Sequence, residues 1–387
     1  MNFLFYFTKY FSVPFLCICF LIPLFLSAQF SVSGIITNNE TRIPVADVSV
    51  YLNNTKIGSA SNSSGEYILN GVATGVYEII VSHVGYAMVT KRIEIKNENL
   101  QLNFNLTAKI SELHNIIVMA KDTRQSWLNI FRQNFLGNSF AADKTKILNE
   151  DEIFFEKANS PSGMTAYSDK PLIIENKELG YRIFFNLVEF YYDKQEMRTY
   201  FKGYSRFEEL TNDISEIKKF EKNRIKYYLG STQHFFHSLI ANTINAQDFA
   251  ISISANNLLT TPEGINVGTN SKKKSDENKI VSPAKDEIVF SADKQTDKLF
   301  LYWKGRLTVK YKKNPYGKNR IQSLGFQDGL FGNGVESGIE LQVSPALLWK
   351  NGTLDNPLSV VYTGYWSHER VASLLPMDYR PQQKNNP

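Results

Sequence analysis

The sequence predicts a mainly β protein: a seven-stranded antiparallel β-sandwich near the N-terminus, then an α+β domain of mixed sheet and helix. Three observations predict it. Positions 30–109 hold short β-type runs with turn clusters about every 8–12 residues and no helical period. Amphipathic helical patterns first appear after position 120 and alternate there with further β-type runs. A hydrophobic content of 43% and an aromatic content of 13% in 387 residues supply enough apolar surface for more than one core.

The first 29 residues read as a secretory leader. Lys9 is their only charge, Phe15 to Leu26 are apolar without a break, and Ser27-Ala28-Gln29 offers small residues for cleavage. The run is shorter than the roughly 20 residues a bilayer span needs, so no transmembrane span is expected after cleavage. An uncleaved anchor reaching back through Tyr10 is the alternative. Cys17 and Cys19 lie inside the leader and are the only cysteines, so the mature protein relies on its cores rather than on disulfides. With 43 Lys and Arg against 38 Asp and Glu and no dense basic stripe, nucleic acid is not an expected partner.

Residues 30–109 divide into seven runs: FSVSGIIT, VADVSVYLNN, KIGSASN, EYIL, VYEIIVSHV, MVTKRIEI and LQLNFNLTA. In the last, Leu100, Leu102, Phe104 and Leu106 alternate with polar residues, which places one face in a core. Asn62-Ser63-Ser64-Gly65 supplies residues that tolerate the left-handed backbone of a turn.

Six landmarks of this segment occur in a familiar order: Gly34, Pro44 to Val50, Gly58 to Ser61, Gly65-Glu66-Tyr67, Gly75-Val76-Tyr77 and Val84-Gly85-Tyr86. In these the segment resembles the carboxypeptidase regulatory-like domain, a transthyretin-like β-sandwich that often precedes outer-membrane receptors in Bacteroidetes-type bacteria. The resemblance implies an exported protein of the periplasm or outer membrane. Many members carry acidic residues where this chain has Ser61 to Ser64, so no calcium site is carried over. A zinc peptidase is not implied either. None of the five histidines has a Glu two or three positions later, and the adjacent His368-Glu369 point apart on either regular element, so the set a catalytic zinc requires is missing.

After a linker strand at 110–120, an α+β domain is expected over 121–387. Trp127, Ile130, Phe131 and Phe135 recur at helical spacing, with Gly137 as a stop. Strands are expected from Pro171 to Ile174, Ile183 to Tyr192 and Met197 to Tyr204, the last two joined by a hairpin loop at Asp193 to Glu196. Ile214, Ile217, Phe220, Ile225, Tyr228 and Leu229 form a second helical stripe ending at Gly230, and Ser231 opens a third helix to Ile244. Positions 260–287 read as a polar loop containing Lys272-Lys273-Lys274; strands then return, and a short terminal helix is expected from His368 to Leu375. This part resembles a region that follows the same sandwich in uncharacterised bacterial exported proteins, which implies no activity.

Three groups of residues are candidate sites. His234 and His237, at i and i+3 on one helix face, are the metal candidates, without a third ligand nearby and with two phenylalanines between them that point to packing. Glu175, Glu178, Tyr181 and Arg182 surround a turn, as a recognition surface or as a structural ion pair. Tyr191, Tyr192, Tyr200 and Tyr204 belong to an aromatic run suited to protein or sugar contacts, or to burial between sheet and helix. No nucleophile elbow or phosphate loop occurs, and no catalytic residue or cofactor is expected. The reading is a non-enzymatic binding or scaffolding protein whose partner is an envelope protein, with glycan or peptide as further ligands. The alternative is a hydrolase of envelope peptide or glycan using a dispersed site.

Overall fold

The computed structural model describes residues 29–109, 120–196, 198–254, 288–290, 298–313 and 334–381. Residues 1–28 of the expected leader, 110–119 of the expected linker strand and the expected polar loop 260–287 lie outside the described residues.

The N-terminal part is a β-sandwich of β1 (Phe30–Asn38), β2 (Ser49–Leu52), β3 (Gly58–Ala60), β4 (Glu66–Val72), β5 (Gly75–Ser82), β6 (Val89–Ile95), β7 (Leu100–Gln101) and β8 (Phe104–Leu106). One sheet runs β4-β1-β7 with β8 also on β1; the other runs β3-β2-β5-β6. Val32, Ile36, Val50, Leu52, Leu69 and Ile79 fill the space between them. The last expected strand is split in two. Its halves pair parallel with β1, while the β1–β4 pair and the second sheet are antiparallel. The split falls at Leu102, whose carbonyl leaves the ladder to accept the Tyr67 hydroxyl at 2.7 Å. Gly34 lies so close to that carbonyl that a Cβ would collide with it.

Helices α1 (Lys121–Phe135) and α2 (Phe140–Asp143) precede β9 (Thr145–Ile147), β10 (Ile153–Lys157), β11 (Gly163–Ser168), β12 (Leu172–Asn176), β13 (Tyr181–Asp193) and β14 (Arg198–Glu209). These strands form one sheet. The long β13 pairs with β14 on one side; on the other, its first half takes β12 and its second half takes β11. Phe131 and Phe135 of α1 pack on Phe190 and Phe185 of this sheet. Helix α3 (Ile214–Tyr228) starts at Asp213, whose carboxylate accepts the Ser215 and Glu216 N–H groups. Of the expected stripe Tyr228 is buried, Ile217, Phe220, Ile225 and Leu229 are half-buried and Ile214 is exposed, while Arg224 and Tyr227 join the buried side.

Helix α4 (Thr232–Ile240) opens at Ser231 as expected and packs on a third core built from β15 (Phe249–Ser254), β16 (Val289–Phe290), β17 (Lys298–Leu301), β18 (Arg306–Tyr311), β19 (Val335–Leu341), β20 (Ala346–Trp349) and β21 (Val360–Gly364). It stops four residues short of Ile244 because Asn242 takes a left-handed backbone. The expected terminal helix is two short 3-10 turns, Tyr365–His368 and Val371–Ser373, separated by an extended Arg370.

A polar seam joins the sandwich to the rest. Asn54 N–H donates to the Ser205 carbonyl at 2.7 Å and Phe207 N–H to the Thr55 carbonyl at 2.9 Å, a parallel bridge on the edge of β14. The segment Pro376 to Arg380 folds over this turn. Met377 N–H donates to the Asn54 carbonyl at 2.6 Å, and the Asp378 carboxylate accepts Lys56 N–H at 3.2 Å. Asn351 donates to the Val76 carbonyl at 2.8 Å, and Arg92 pairs with Asp355 at 2.6 Å.

Candidate functional site

The β13–β14 hairpin has two faces because side chains alternate along a strand. Tyr181, Ile183, Phe185, Leu187, Phe190 and Tyr192 face the α1 core; an irregularity between Leu187 and Glu189 restores the phase after one extra residue. Arg182, Phe184, Asn186, Glu189 and Tyr191 face the other way, opposite Glu208, Arg206, Tyr204, Lys202 and Tyr200 of β14. The sandwich sits over one end of this outer face. There the Tyr51 hydroxyl accepts a hydrogen bond from Asn186 at 2.5 Å, and Arg206 lies over Phe184 and close to Gly58.

The other end carries a row across four strands: Glu156 on β10, Thr165 on β11, Tyr191 on β13 and Tyr200 on β14. The Tyr191 and Tyr200 rings stack at 5.2 Å and 17°. Tyr200 donates to Glu189 at 2.8 Å with Arg198 against its ring, and Tyr191 donates to Glu196 at 3.3 Å. Phe154 and Tyr167 stack beside them at 5.4 Å. Desolvation and the Glu189 acceptor raise the Tyr200 phenol above its ordinary range, so it stays a hydrogen-bond donor at neutral pH. Both rings are half-buried. Such a surface offers aromatic area, hydroxyl tips and carboxylates to a ligand.

The structure does not bring the binding candidates together. Glu175 and Arg182 are a cross-strand pair at the sandwich-covered end, their charges 3.9 Å apart with Lys177 also on Glu175 at 3.4 Å. Along β13 that end lies roughly 30 Å from Tyr191, at about 3.3 Å per residue. Tyr204 lies between, opposite Asn186. Tyr192 is half-buried against the α1 core. Tyr181 corrects an expectation: it is 0% exposed and offers no surface, because its position in the alternation faces the core. Burial pushes its phenol far up, against the pull of the Arg224 guanidinium 3.8 Å from the ring.

His234 and His237 are not metal-ready. His234 Nδ1 accepts the Gly230 N–H at 3.1 Å, and Nε2 faces the Gln247 carbonyl oxygen at 3.2 Å. His237 Nδ1 lies 3.0 Å from the Tyr228 hydroxyl, and Nε2 lies 3.2 Å from the Asn351 carbonyl. These partners assign an Nε2–H tautomer to each ring and engage both nitrogens. Burial lowers both imidazoles, His237 to about 4, with Arg380 adding to the effect. Among the described residues no group of three or more His, Cys, Asp or Glu could hold a metal ion.

Two polar residues escaped the sequence reading. Arg224, 3% exposed, donates to the Leu179 and Gly180 carbonyls and to both oxygens of Glu209. Asp193 accepts from Ser162 and from the Gln195 and Glu196 N–H groups, which ties the β10–β11 loop to the tyrosine hairpin. The Ser160 side chain alongside, with bonds from Ser162 and these backbone groups, holds its carboxyl down at about 2, against the cost of desolvation. Its place before Lys194-Gln195-Glu196 was the available signal.

Residues 32–118 match the model of the CarboxypepD_reg-like domain, which makes the sandwich a domain of that kind. No curated protein matches the chain. Similar solved structures include a type II cohesin–X-dockerin complex from Acetivibrio cellulolyticus, at 21% identity over 19% of this chain and 52% of that one, TM-score 0.18. The major pilin subunit BcpA of Bacillus cereus matches at 13% identity over 21% of this chain and 30% of that one, TM-score 0.19. The minor pilin GBS52 of Streptococcus agalactiae matches at 14% identity over 22% of this chain and 47% of that one, TM-score 0.18. The matched parts span about half of these chains or less. At TM-scores this low the likenesses bear on neither fold nor function.

Proposed function

We propose that the chain is an exported, non-enzymatic binding or scaffolding protein of the bacterial envelope, of Bacteroidetes-type origin. In this reading residues 30–109 are a mounting sandwich, and 121–387 are one α+β domain that presents the binding surface to an envelope protein. The leader pattern and the confinement of both cysteines to it support export. Among the described residues no helix is long and apolar enough to cross a membrane. One observation carries the reading: the outer face of the six-stranded sheet is covered by the sandwich at one end and lined by the Glu156–Thr165–Tyr191–Tyr200 row at the other.

A mild-detergent pull-down of the tagged protein from its native envelope tests this. A stoichiometric partner that the wild type retains, and the double variant Tyr191→Ala/Tyr200→Ala loses, is the expected outcome. A clean protein that cleaves envelope peptide or glycan would instead establish the hydrolase alternative.

A further inference from the structure

The sandwich is joined to the rest largely through polar contacts, and Met377 adds an apolar one. Among the described half-buried apolar residues packed on the sandwich core, it is the one from outside residues 30–109. Its backbone is tied down: the N–H donates to the Asn54 carbonyl at 2.6 Å, and the carbonyl accepts from Gln233 at 3.3 Å and from Arg380 at 2.9 Å. Its sulfur is engaged as well. The Thr353 hydroxyl donates to Sδ, and Asn351 Nδ2, which donates to the Val76 carbonyl of the sandwich, lies 4.0 Å from it. The other described methionines are placed differently. Met88 is 36% exposed just before β6, and Met164 is 2% exposed in the α1 core. Both cysteines lie in the expected leader, which leaves methionine as the oxidisable sulfur of the mature chain.

We propose that Met377 is a modification site, a peroxide-sensitive latch whose oxidation to the sulfoxide loosens the sandwich from the Pro376–Arg380 segment. In the step a lone pair of Sδ attacks one oxygen of hydrogen peroxide. The O–O bond breaks, the sulfur gives up two electrons and keeps that oxygen, and the departing hydroxide takes its proton and leaves as water. A flexible apolar side chain becomes a polar one. The Thr353 hydroxyl holds one side of the sulfur and the sandwich core takes the side chain, so the new oxygen displaces one of these contacts. Turned to the core, it is a buried polar group without a donor. Turned to Thr353, it shifts Met377 off the Asn54 carbonyl. Either way the Asn54–Ser205 and Thr55–Phe207 bonds lose the segment that folds over them. Methionine sulfoxide reductases reverse the change. The latch is independent of the partner proposed above.

The test treats the full-length protein with hydrogen peroxide, separates the singly oxidised species by chromatography and assigns each by peptide mass spectrometry. Hydrogen exchange is then read at the Phe207 amide, with the Ile79 and Phe190 amides reporting the sandwich and the α1 core. The species oxidised at Met377 is expected to exchange Phe207 at least tenfold faster, with Ile79 and Phe190 unchanged, and to recover on treatment with a methionine sulfoxide reductase. The species oxidised at Met88 matches untreated protein. Met377→Leu, close in volume, keeps the slow exchange and no longer responds to peroxide. Should Met377→Leu loosen the sandwich by itself, the two singly oxidised wild-type species decide. Met377 left unmodified while Met88 oxidises, or oxidised Met377 with Phe207 exchange unchanged, overturns the proposal. An equal rise at Phe190 would mean general loss of structure and overturns it too. A full response to peroxide in Met377→Leu assigns the effect to another methionine and does the same.

Discussion

His237 couples the junction to pH. Its ring is held neutral between the Tyr228 hydroxyl and the Asn351 carbonyl, and Asn351 in turn donates to Val76 of the sandwich. Its folded value of about 4 is below the ordinary 6.5, so between these limits the unfolded chain binds the extra proton. Stability is therefore full above about pH 6.5 and falls as pH drops toward 4, by on the order of 2–3 kcal/mol from this group. His234 and His368 are lowered too and act in the same direction. Urea melts from pH 7 to 4.5 should show the slope, and His237→Gln should flatten it; a slope unchanged in the variant would remove His237 as the source. Tyr181 makes a second case, because its buried hydroxyl has no hydrogen-bond partner among the described residues. Tyr181→Phe is expected to be neutral or to stabilise by up to about 1 kcal/mol, since it removes an unpaired polar group from the core. A clear loss of stability would show that the hydroxyl has a partner.

At the level of elements, the β12–β13 turn positions the long hairpin strand. Asn176 accepts the Glu178 and Leu179 N–H groups, and Gly180 N–H returns to the Asn176 carbonyl. Gly180 has φ +70°, and a Cβ there would enter the Phe220 ring of α3. Gly180→Ala should cost at least about 2 kcal/mol by thermal melt, from backbone strain together with the displaced ring. A loss below about 0.5 kcal/mol would mean that α3 moves aside freely. Much of this was legible in the sequence. The alternation of Tyr181, Ile183, Phe185 and Leu187 marks a strand with one buried side, and Asp213 and Ser231 mark helix starts. The irregularity at Leu187/Glu189 was hidden, because Phe190-Tyr191-Tyr192 is apolar at every position and fixes no phase. Arg224 was hidden for another reason. Its helical neighbours are charged, and the Leu179, Gly180 and Glu209 groups that bury it come from the β12–β13 turn and the end of β14, outside its own helix. The candidate tyrosines were legible as a cluster but not as two faces, since the phase of the strand decides which of them see solvent.

At the scale of the molecule there are three cores, and the sandwich core is joined to the other two along a seam made largely of hydrogen bonds and ion pairs. Domain contacts of that kind separate more readily than apolar ones. The Pro376–Arg380 segment closes the seam, with Gln233 donating to the Pro376 and Met377 carbonyls and Tyr379 donating to Glu221. Deleting residues 376–387 should leave the sandwich folded but loosely attached. Hydrogen exchange at the Phe207 amide should then rise at least tenfold, and the radius of gyration in small-angle scattering should increase. Unchanged protection at Phe207 would show that the β14 bridge holds by itself.

The bond from Lys56 to Asp378 spans 322 residues of chain. A ribosome adding residues in order completes the sandwich first and supplies the Asp378 carboxylate 322 residues after Lys56. For the whole of that interval the turn at Asn54 is a finished piece waiting for its fastening. The order of synthesis thus sets this fastening well after the sandwich itself, and a product of translation cut short before Asp378 would carry a folded head without it.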